Sequence, residues 1–324
     1  MPTQATLTSD PFLPLLRALL PSYGRSTSEA LDRLTVSENH TYCAGSGGQK
    51  LVLRVHRAGY HDRSEILSEL DWIAGLHDSG TVTTAVPIAR QDGERLSAVE
   101  LDGQRHWVSA FSFLEGEEPK VGHHLADRFE ELGMINARLH QHARGWARPD
   151  GFVRKRWDFD LMFGARPIWG DWRAAYDQSK DIALLEGLEK HLRSTLDDYG
   201  DGPDRFGLIH GDLRVANLLD DGNRLAVIDF DDCGFSWFAY DFAAAISFHE
   251  EDEAVPTLQN AWLKGYRTVA PFGDEDEAIL PAMILARRLL LTAWLASRAG
   301  NDTDALYGRG FAEGTVRLAQ AYLG

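Results

Sequence analysis

Between residues 209 and 232 the chain reads IHGDLRVANLLDDGNRLAVIDFDD, and within it Asp212 and Asn217 stand in the arrangement H-x-D-x-x-x-x-N. At that spacing an Asp can accept the proton of an attacking hydroxyl while the Asn carbonyl oxygen binds a magnesium ion. Asp-Gly-Asn at 221–223 is turn chemistry, so the two short apolar runs on either side are expected to pair as a hairpin. With the turn at Gly222-Asn223, residues 217 and 228 fall opposite each other, and Asn217 comes to sit beside Asp229 at the open end. Hard oxygen ligands placed together suit Mg²⁺, which keeps several waters and takes one or two protein carboxylates plus phosphate oxygens. Asp229 is then the main metal carboxylate, and Asp231 is a candidate for a second ion. A solvated acidic turn would account for 220–223. It accounts neither for the His-Gly-Asp before the first run nor for the Asp that ends the apolar 225-LAVI-228. The roles filled together are those of phosphoryl transfer.

The elements that must hold these residues are of two kinds. After a short apolar helix expected at 12–20, residues 33–44 and 51–57 read as paired strands around a loose Gly-Ser-Gly-Gly turn at 45–48. Residues 62–77 read as a helix with a capping-box-like start at Asp62 and Glu65, and with Ile66, Leu70 and Ile73 on one face. Glu69 falls inside that apolar arc, and a carboxylate there needs a partner. Residues 94–116 read as a hairpin turned at Asp102-Gly103, and the polar 115-EGEEP-119 marks a lobe boundary. Beyond it Leu125, Phe129, Leu132, Ile135 and Leu139 form a helical stripe, and 182–198, 241–248, 257–268, 278–299 and 304–322 also read as helices. The Trp-rich segment 156–176 has no clear period. The expected fold class is therefore α+β: a strand-rich, nucleotide-binding N-terminal lobe over 1–114 and a mainly helical C-terminal lobe over 115–324.

The chain has 324 residues, enough for two lobes with real cores. With 33 Lys and Arg against 49 Asp and Glu its formal net charge is −16, which argues against a nucleic-acid partner and against anionic membrane surfaces. The same charge suits a cationic substrate or simply solubility. Cys43 and Cys233 are the only cysteines, so there is neither a disulfide framework nor a zinc spacing, and a reducing cytoplasm fits. The longest apolar run, 289-LLLTAWLA-296, is too short to span a bilayer.

HGDLRVANLL followed by VIDFDD resembles the aminoglycoside phosphotransferase family of kinase-fold enzymes, which includes choline-kinase-like proteins, type II homoserine kinases, fructosamine kinases and stress response kinase A. The resemblance runs over roughly residues 30 to 300. It implies a two-lobed protein-kinase-like fold, ATP and Mg²⁺ as cofactors, and transfer of a phosphoryl group to a hydroxyl of a small, amine-bearing or aminoglycoside-like acceptor. It implies Asp212 as catalytic base, Asn217 and Asp229 as magnesium ligands, and His210 as a scaffold of the loop. Asp241, in 240-YDFAAAI-246, matches a structural Asp of the family and reads equally as an N-cap.

In the first lobe, LVLRV matches the strand that carries the phosphate-gripping Lys, and SELDWI matches the helix that carries its Glu partner. Here those positions are Arg54 and Glu69, and Arg, a planar fork, does not grip phosphate as Lys does. Arg54 also reads as a surface residue on an alternating strand. G-x-G-x-x-G is absent; 37-SENHTYCAG-45 offers Ser37, Asn39 and backbone N–H groups for phosphate instead. Residues 111-FSFL-114 fall where the family binds adenine through its backbone, which points to Ser112 and Leu114. The metal Asp is followed by Phe-Asp-Asp rather than Phe-Gly, and no A-P-E follows, which favours the small-molecule branch. A protein Ser/Thr kinase resembling stress response kinase A and a catalytically inactive kinase-like binding module are the alternatives.

Trp157, Trp169 and Trp172 suit either a core or an acceptor pocket, and Asp158, Asp160 and Asp171 in the same segment could meet an ammonium group. The histidines at 123, 124, 140 and 142 do not make a metal site, because helical spacing sets His140 and His142 about 200° apart. His140 resembles a packing His of the family.

Overall fold

Leu51, Leu53 and Val55 alternate along one short strand, and the face they share seeds a five-stranded antiparallel sheet. The computed structural model describes residues 10–36, 39–47, 50–119, 125–298 and 302–324, with side chains of the last segment from 310 onward. Two compact units divide the chain, residues 1–79 with 84–115 and 148–153, and residues 80–83 with 116–147 and 154–324.

In the first unit, β1 (Leu31–Val36), β2 (His40–Ala44), β3 (Leu51–Val55), β4 (Leu96–Leu101) and β5 (Gln104–Ser112) lie in the order β1-β2-β3-β5-β4. Residues 33–44, expected as a single strand, are two: Val36 pairs with His40 and the chain doubles back between them. The β4–β5 turn falls at Asp102 and Gly103, both at positive φ (52° and 76°), the conformation a tight two-residue hairpin turn requires. Phe12, Leu16 and Leu20, from and just after α1 (Phe12–Leu19), pack on Leu51, Leu53, Val55, Val108 and Ala110 of the sheet. Helix α2 (Arg63–Asp78) starts with a full capping box: Asp62 accepts from Glu65 N–H at 2.9 Å, and Glu65 accepts from Asp62 N–H at 3.1 Å. Its buried face carries Ile66, Leu70, Ile73 and Leu76 with Glu69 among them. The segment at 148–153 joins this unit, where Val153 N–H bonds Ser68 Oγ at 2.9 Å.

The second unit is mainly helical: α3 (Leu125–Gly145), α4 (Phe159–Phe163), α5 (Ser179–Tyr199), α6 (Tyr240–Ala245), α7 (Val255–Arg267), α8 (Asp274–Ala278), α9 (Leu280–Ala296) and α10 (Asp302–Leu323). Between them run two small antiparallel ladders, β6 (Phe206–Ile209) with β9 (Gly234–Trp237), and β7 (Leu218–Asp220) with β8 (Leu225–Val227). Helices α3 and α7 approach closely at Gly133, where a Cβ would come to 2.0 Å from the Trp262 carbonyl oxygen. The helix expected over 278–299 is α9, which starts at Leu280 with Pro281 in its first turn and ends at Ala296, while the five-residue α8 before it lies outside that expectation apart from its last residue. The α8–α9 stretch is apolar enough to pass for a membrane span, yet 78% of its most apolar window is buried inside the fold, as a core helix is. The Trp-rich segment resolves into α4, N-capped by Asp158, and a 3-10 turn at Trp172–Ala175, N-capped by Asp171.

Candidate active site

Strand β6 ends at Ile209 and hands the chain to His210-Gly211-Asp212. Gly211 has φ 79°, and a Cβ there would press on the Asp232 carbonyl oxygen at 2.8 Å, so only glycine lets the chain turn at this point. Its N–H donates to Asp241 Oδ1 at 2.9 Å. Asp241 Oδ2 accepts from Asn136 Nδ2 at 3.1 Å and from His140 Nε2 at 3.0 Å. The Asn136 carbonyl in turn accepts from Trp262 Nε1 at 2.8 Å, and His140 Nδ1 meets the Tyr266 hydroxyl at 2.9 Å. Asp241 is thus a fully buried anchor that ties α3, α6 and α7 to the loop; of the two sequence readings, the structural one describes it.

His210 is buried as well. Its Nε2 donates to the Ile228 carbonyl at 3.1 Å while Nδ1 accepts from Asp212 N–H at 3.3 Å, a pairing that requires the neutral ring. Burial depresses the pKa of His210, and also that of His140, below the ordinary 6.5, although nearby carboxylates including Asp241 pull the other way.

Asp212 is held from three directions. Oδ1 pairs with Arg287 Nη2 at 2.5 Å, and Oδ2 accepts from Arg214 Nε at 3.2 Å and from Asn217 Nδ2 at 2.9 Å. Burial alone would raise its pKa, but Arg214 and Arg287 outweigh burial and hold the carboxyl below the ordinary 3.8. Asn217 Nδ2 also donates to the Asp212 carbonyl at 2.7 Å, closing the loop through a 3-10 turn at Val215–Asn217. In the β7–β8 ladder Leu218 pairs with Val227, and Ile228 N–H donates to the Asn217 carbonyl at 3.0 Å, so residues 217 and 228 lie opposite. Asp229 follows, exposed and at φ 60°, a left-handed position that few non-glycine residues adopt. Asp231 is buried, and its carbonyl, with that of Cys233, accepts from the buried Arg154.

In the first unit Arg54 and Glu69 form a buried ion pair, with the guanidinium 5.1 Å from the Phe111 ring centroid. Arg54 is therefore an inward residue of β3, not a surface one, and Glu69 has its partner. Asn39 is buried, its Oδ1 accepting from Arg57 N–H at 3.1 Å. Ser37 lies outside the described residues, as do His123 and His124. Ser112 is bonded to Val86 through both its N–H and its hydroxyl, at 2.9 Å each, while Leu114 lies just past the end of β5.

The three tryptophans are buried: Trp157 Nε1 donates to the Asp232 carbonyl at 2.9 Å and Trp172 Nε1 to Glu189 at 2.7 Å. Asp158, Asp160 and Asp171 pair with Arg156, Arg193 and Arg173. Phe248, at φ 71°, lies 5.8 Å from the Arg214 guanidinium and lines a cavity of about 300 Å³ with Glu251, Asp252, Arg288 and Phe311. Sequence reading missed Arg287, Arg154 and Asn136. For Arg287 a signal was present: two charges inside the apolar 283-MILARRLLLTAWLA-296 must be buried with it and so must find partners.

A family model described as the phosphotransferase enzyme family (APH) matches residues 35–272. The solved structure of a microcompartment-associated aminopropanol kinase is 40% identical to the chain, covers 96% of it and 97% of its own length, and superposes with a TM-score of 0.89. A homoserine kinase of Rhizobium rhizogenes (strain K84) is 29% identical over 283 residues, 81% of this chain and 80% of its own. An amicoumacin kinase solved with AMP-PNP, Ca²⁺ and Ami shares the fold at 20% identity, with a TM-score of 0.76 over 95% of this chain and 94% of its own. The match spans well over half of the sequence, and the chain belongs to the phosphotransferase enzyme family, among its small-molecule kinases.

Proposed function

We propose that the chain transfers the γ-phosphoryl group of ATP, with Mg²⁺, to the hydroxyl of a short amino alcohol. The observation that carries this reading is the Asp212 carboxylate, fixed at the end of β6 beside Asn217, with Asp229 next to the residue opposite Asn217 in the β7–β8 ladder. The donor set suits magnesium. Asn217 turns its amide nitrogen to Asp212, which leaves its carbonyl oxygen for a cation, and Asp229 is an exposed carboxylate on a left-handed backbone of the kind that clusters at ligand clamps. Asn217 and Asp229 would hold the ion, which when bound neutralises charge on the phosphate oxygens.

In this scheme the acceptor oxygen attacks the γ-phosphorus, the bond to the β-phosphate oxygen breaks, ADP leaves, and the hydroxyl proton goes to Asp212. A carboxylate held below its ordinary pKa by two arginines is a weak base, so its main task is to orient the hydroxyl in line. Arg54, fixed by Glu69, is the first unit's group for phosphate oxygens. Ser112 is committed to Val86, which leaves the backbone at Leu114 as the candidate for the adenine edge.

The small cavity that Phe248 lines, linked to Arg214 through that ring, suits an acceptor of a few heavy atoms, and Asp252 on its wall suits an ammonium end, since Glu251 is already paired with Arg288 and Arg317. The kinship at 40% identity to an aminopropanol kinase points the same way. The test is ADP release from Mg-ATP with aminopropanol, ethanolamine, homoserine, choline, an aminoglycoside and a generic protein substrate offered separately. Stimulation by one of the short amino alcohols is the expected result. Stimulation by the protein substrate alone would replace this reading with that of a protein kinase.

A further inference from the structure

Arg287, on α9, is 2% exposed, and only one of its contacts is with the Asp212 carboxylate. Its Nε donates to Ser247 Oγ at 3.0 Å, and its Nη1 to the Tyr240 hydroxyl at 3.3 Å and the Gly211 carbonyl at 3.5 Å. The guanidinium carbon lies 5.4 Å from the Trp169 ring centroid. Ser247, Tyr240 and Trp169 are themselves buried. The planar fork is thus fixed on every side before it meets Asp212, in a way that a lysine's single ammonium could not reproduce. Arg288, the next residue, turns by about 100° along the helix and instead binds Glu250, Thr315 and the Phe311 carbonyl. Arg214, the other cation on Asp212, is 34% exposed and lacks such a cage. A buried charge in an apolar helix is costly unless its partners recover the cost, and here the carboxylate that balances the charge is Asp212.

We propose that Arg287 is a positioning residue for phosphoryl transfer: it clamps Asp212 Oδ1 so that the carboxylate presents a single orientation to the acceptor hydroxyl. This rests on the proposed kinase reaction and adds to it a residue 75 positions away from the loop it serves. The test compares wild type, Arg287→Lys and Arg287→Met, each first shown to melt cooperatively. Loss of the clamp is expected to lower kcat by about 100-fold, the cost of misplacing a reacting group, with KM for ATP and for the acceptor within twofold of wild type. Arg287→Lys is expected to recover part of the rate. In an Asp212→Ala background Arg287→Met is expected to cause no further loss, because the arginine acts only through that carboxylate.

Crystal structures supply a readout independent of turnover: Asp212 in one rotamer in wild type, and in a shifted or divided one in Arg287→Met. An unchanged Asp212 rotamer, a wild-type kcat, or losses that multiply in the double variant would overturn the proposal. Should wild type phosphorylate no amino alcohol, the reaction assigned above fails, and the Asp212 rotamer in the two crystals still decides whether the clamp exists.

Discussion

At Asp229 the backbone takes a left-handed φ of 60° at an exposed position, a conformation that an Asp tolerates but does not prefer. If its carboxylate holds magnesium, Asp229→Ala should weaken Mg-ATP binding by at least tenfold while leaving binding of ATP in EDTA unchanged. Calorimetric titration of wild type and Asp229→Ala with and without Mg²⁺ checks this, and equal Mg dependence in the two would remove Asp229 from the metal site. Asp252 offers a second residue-scale test. On the wall of the cavity that Phe248 lines, it should raise the amino-alcohol KM several-fold when changed to Asn, with kcat kept. A KM that stays put would move the ammonium site elsewhere. The residues of the loop itself were legible because they are close in sequence: His210, Asp212 and Asn217 lie within eight residues, and their side chains and backbone bond one another. That Arg287 would need a buried partner was legible from its apolar helix, but that the partner is Asp212 was not, because no local period links the two.

The anchoring of the 210–217 loop belongs to the scale of elements. Asp241 on α6 joins Gly211 to Asn136 and His140 on α3, partners 105 and 101 residues away. Asp241→Asn keeps the shape but loses the charge on a fully buried acceptor of three hydrogen bonds. The expected cost is about 1–3 kcal/mol, together with lower kcat as the loop loosens. Denaturant unfolding and steady-state rates measure both, and unaltered stability would show that the network does not anchor the loop. The helices were readable from their apolar periods, and α2 from its capping box, since both signals are local. What the period could not supply were the short helices α4 and α8, five residues each and too brief to show one, or the reversal that splits 33–44 into β1 and β2.

At the scale of the whole molecule, acid is the natural probe. His140 and His210 are buried and neutral, each with a folded pKa below the ordinary 6.5. As pH falls below that value the unfolded chain binds protons that the folded chain refuses, so these two residues cost the fold nothing above 6.5 and weaken it progressively below. Nitrogen-15 spectra at pH 6 should show both rings neutral, with the proton on Nε2; a ring half protonated near 6.5 would contradict the tautomers assigned from their hydrogen bonds. Asp212, held in the opposite sense, loses its contribution only as pH falls through a folded value below 3.8. The net charge of −16 gave no hint that the two arginines buried in α9 would each pair with a carboxylate, Arg287 with Asp212 and Arg288 with Glu250.

The reaction proposed above has Asp212 direct a phosphoryl group from ATP to the hydroxyl of a short amino alcohol. Incubating wild type and Asp212→Ala with Mg-ATP and aminopropanol, and following the products by phosphorus NMR, tests it directly. Wild type is expected to form a phosphomonoester of the acceptor, and Asp212→Ala to form it on the order of 10³-fold more slowly or not at all, while Mg-ATP binding persists in both. Equal rates of ester formation by the two proteins would contradict it.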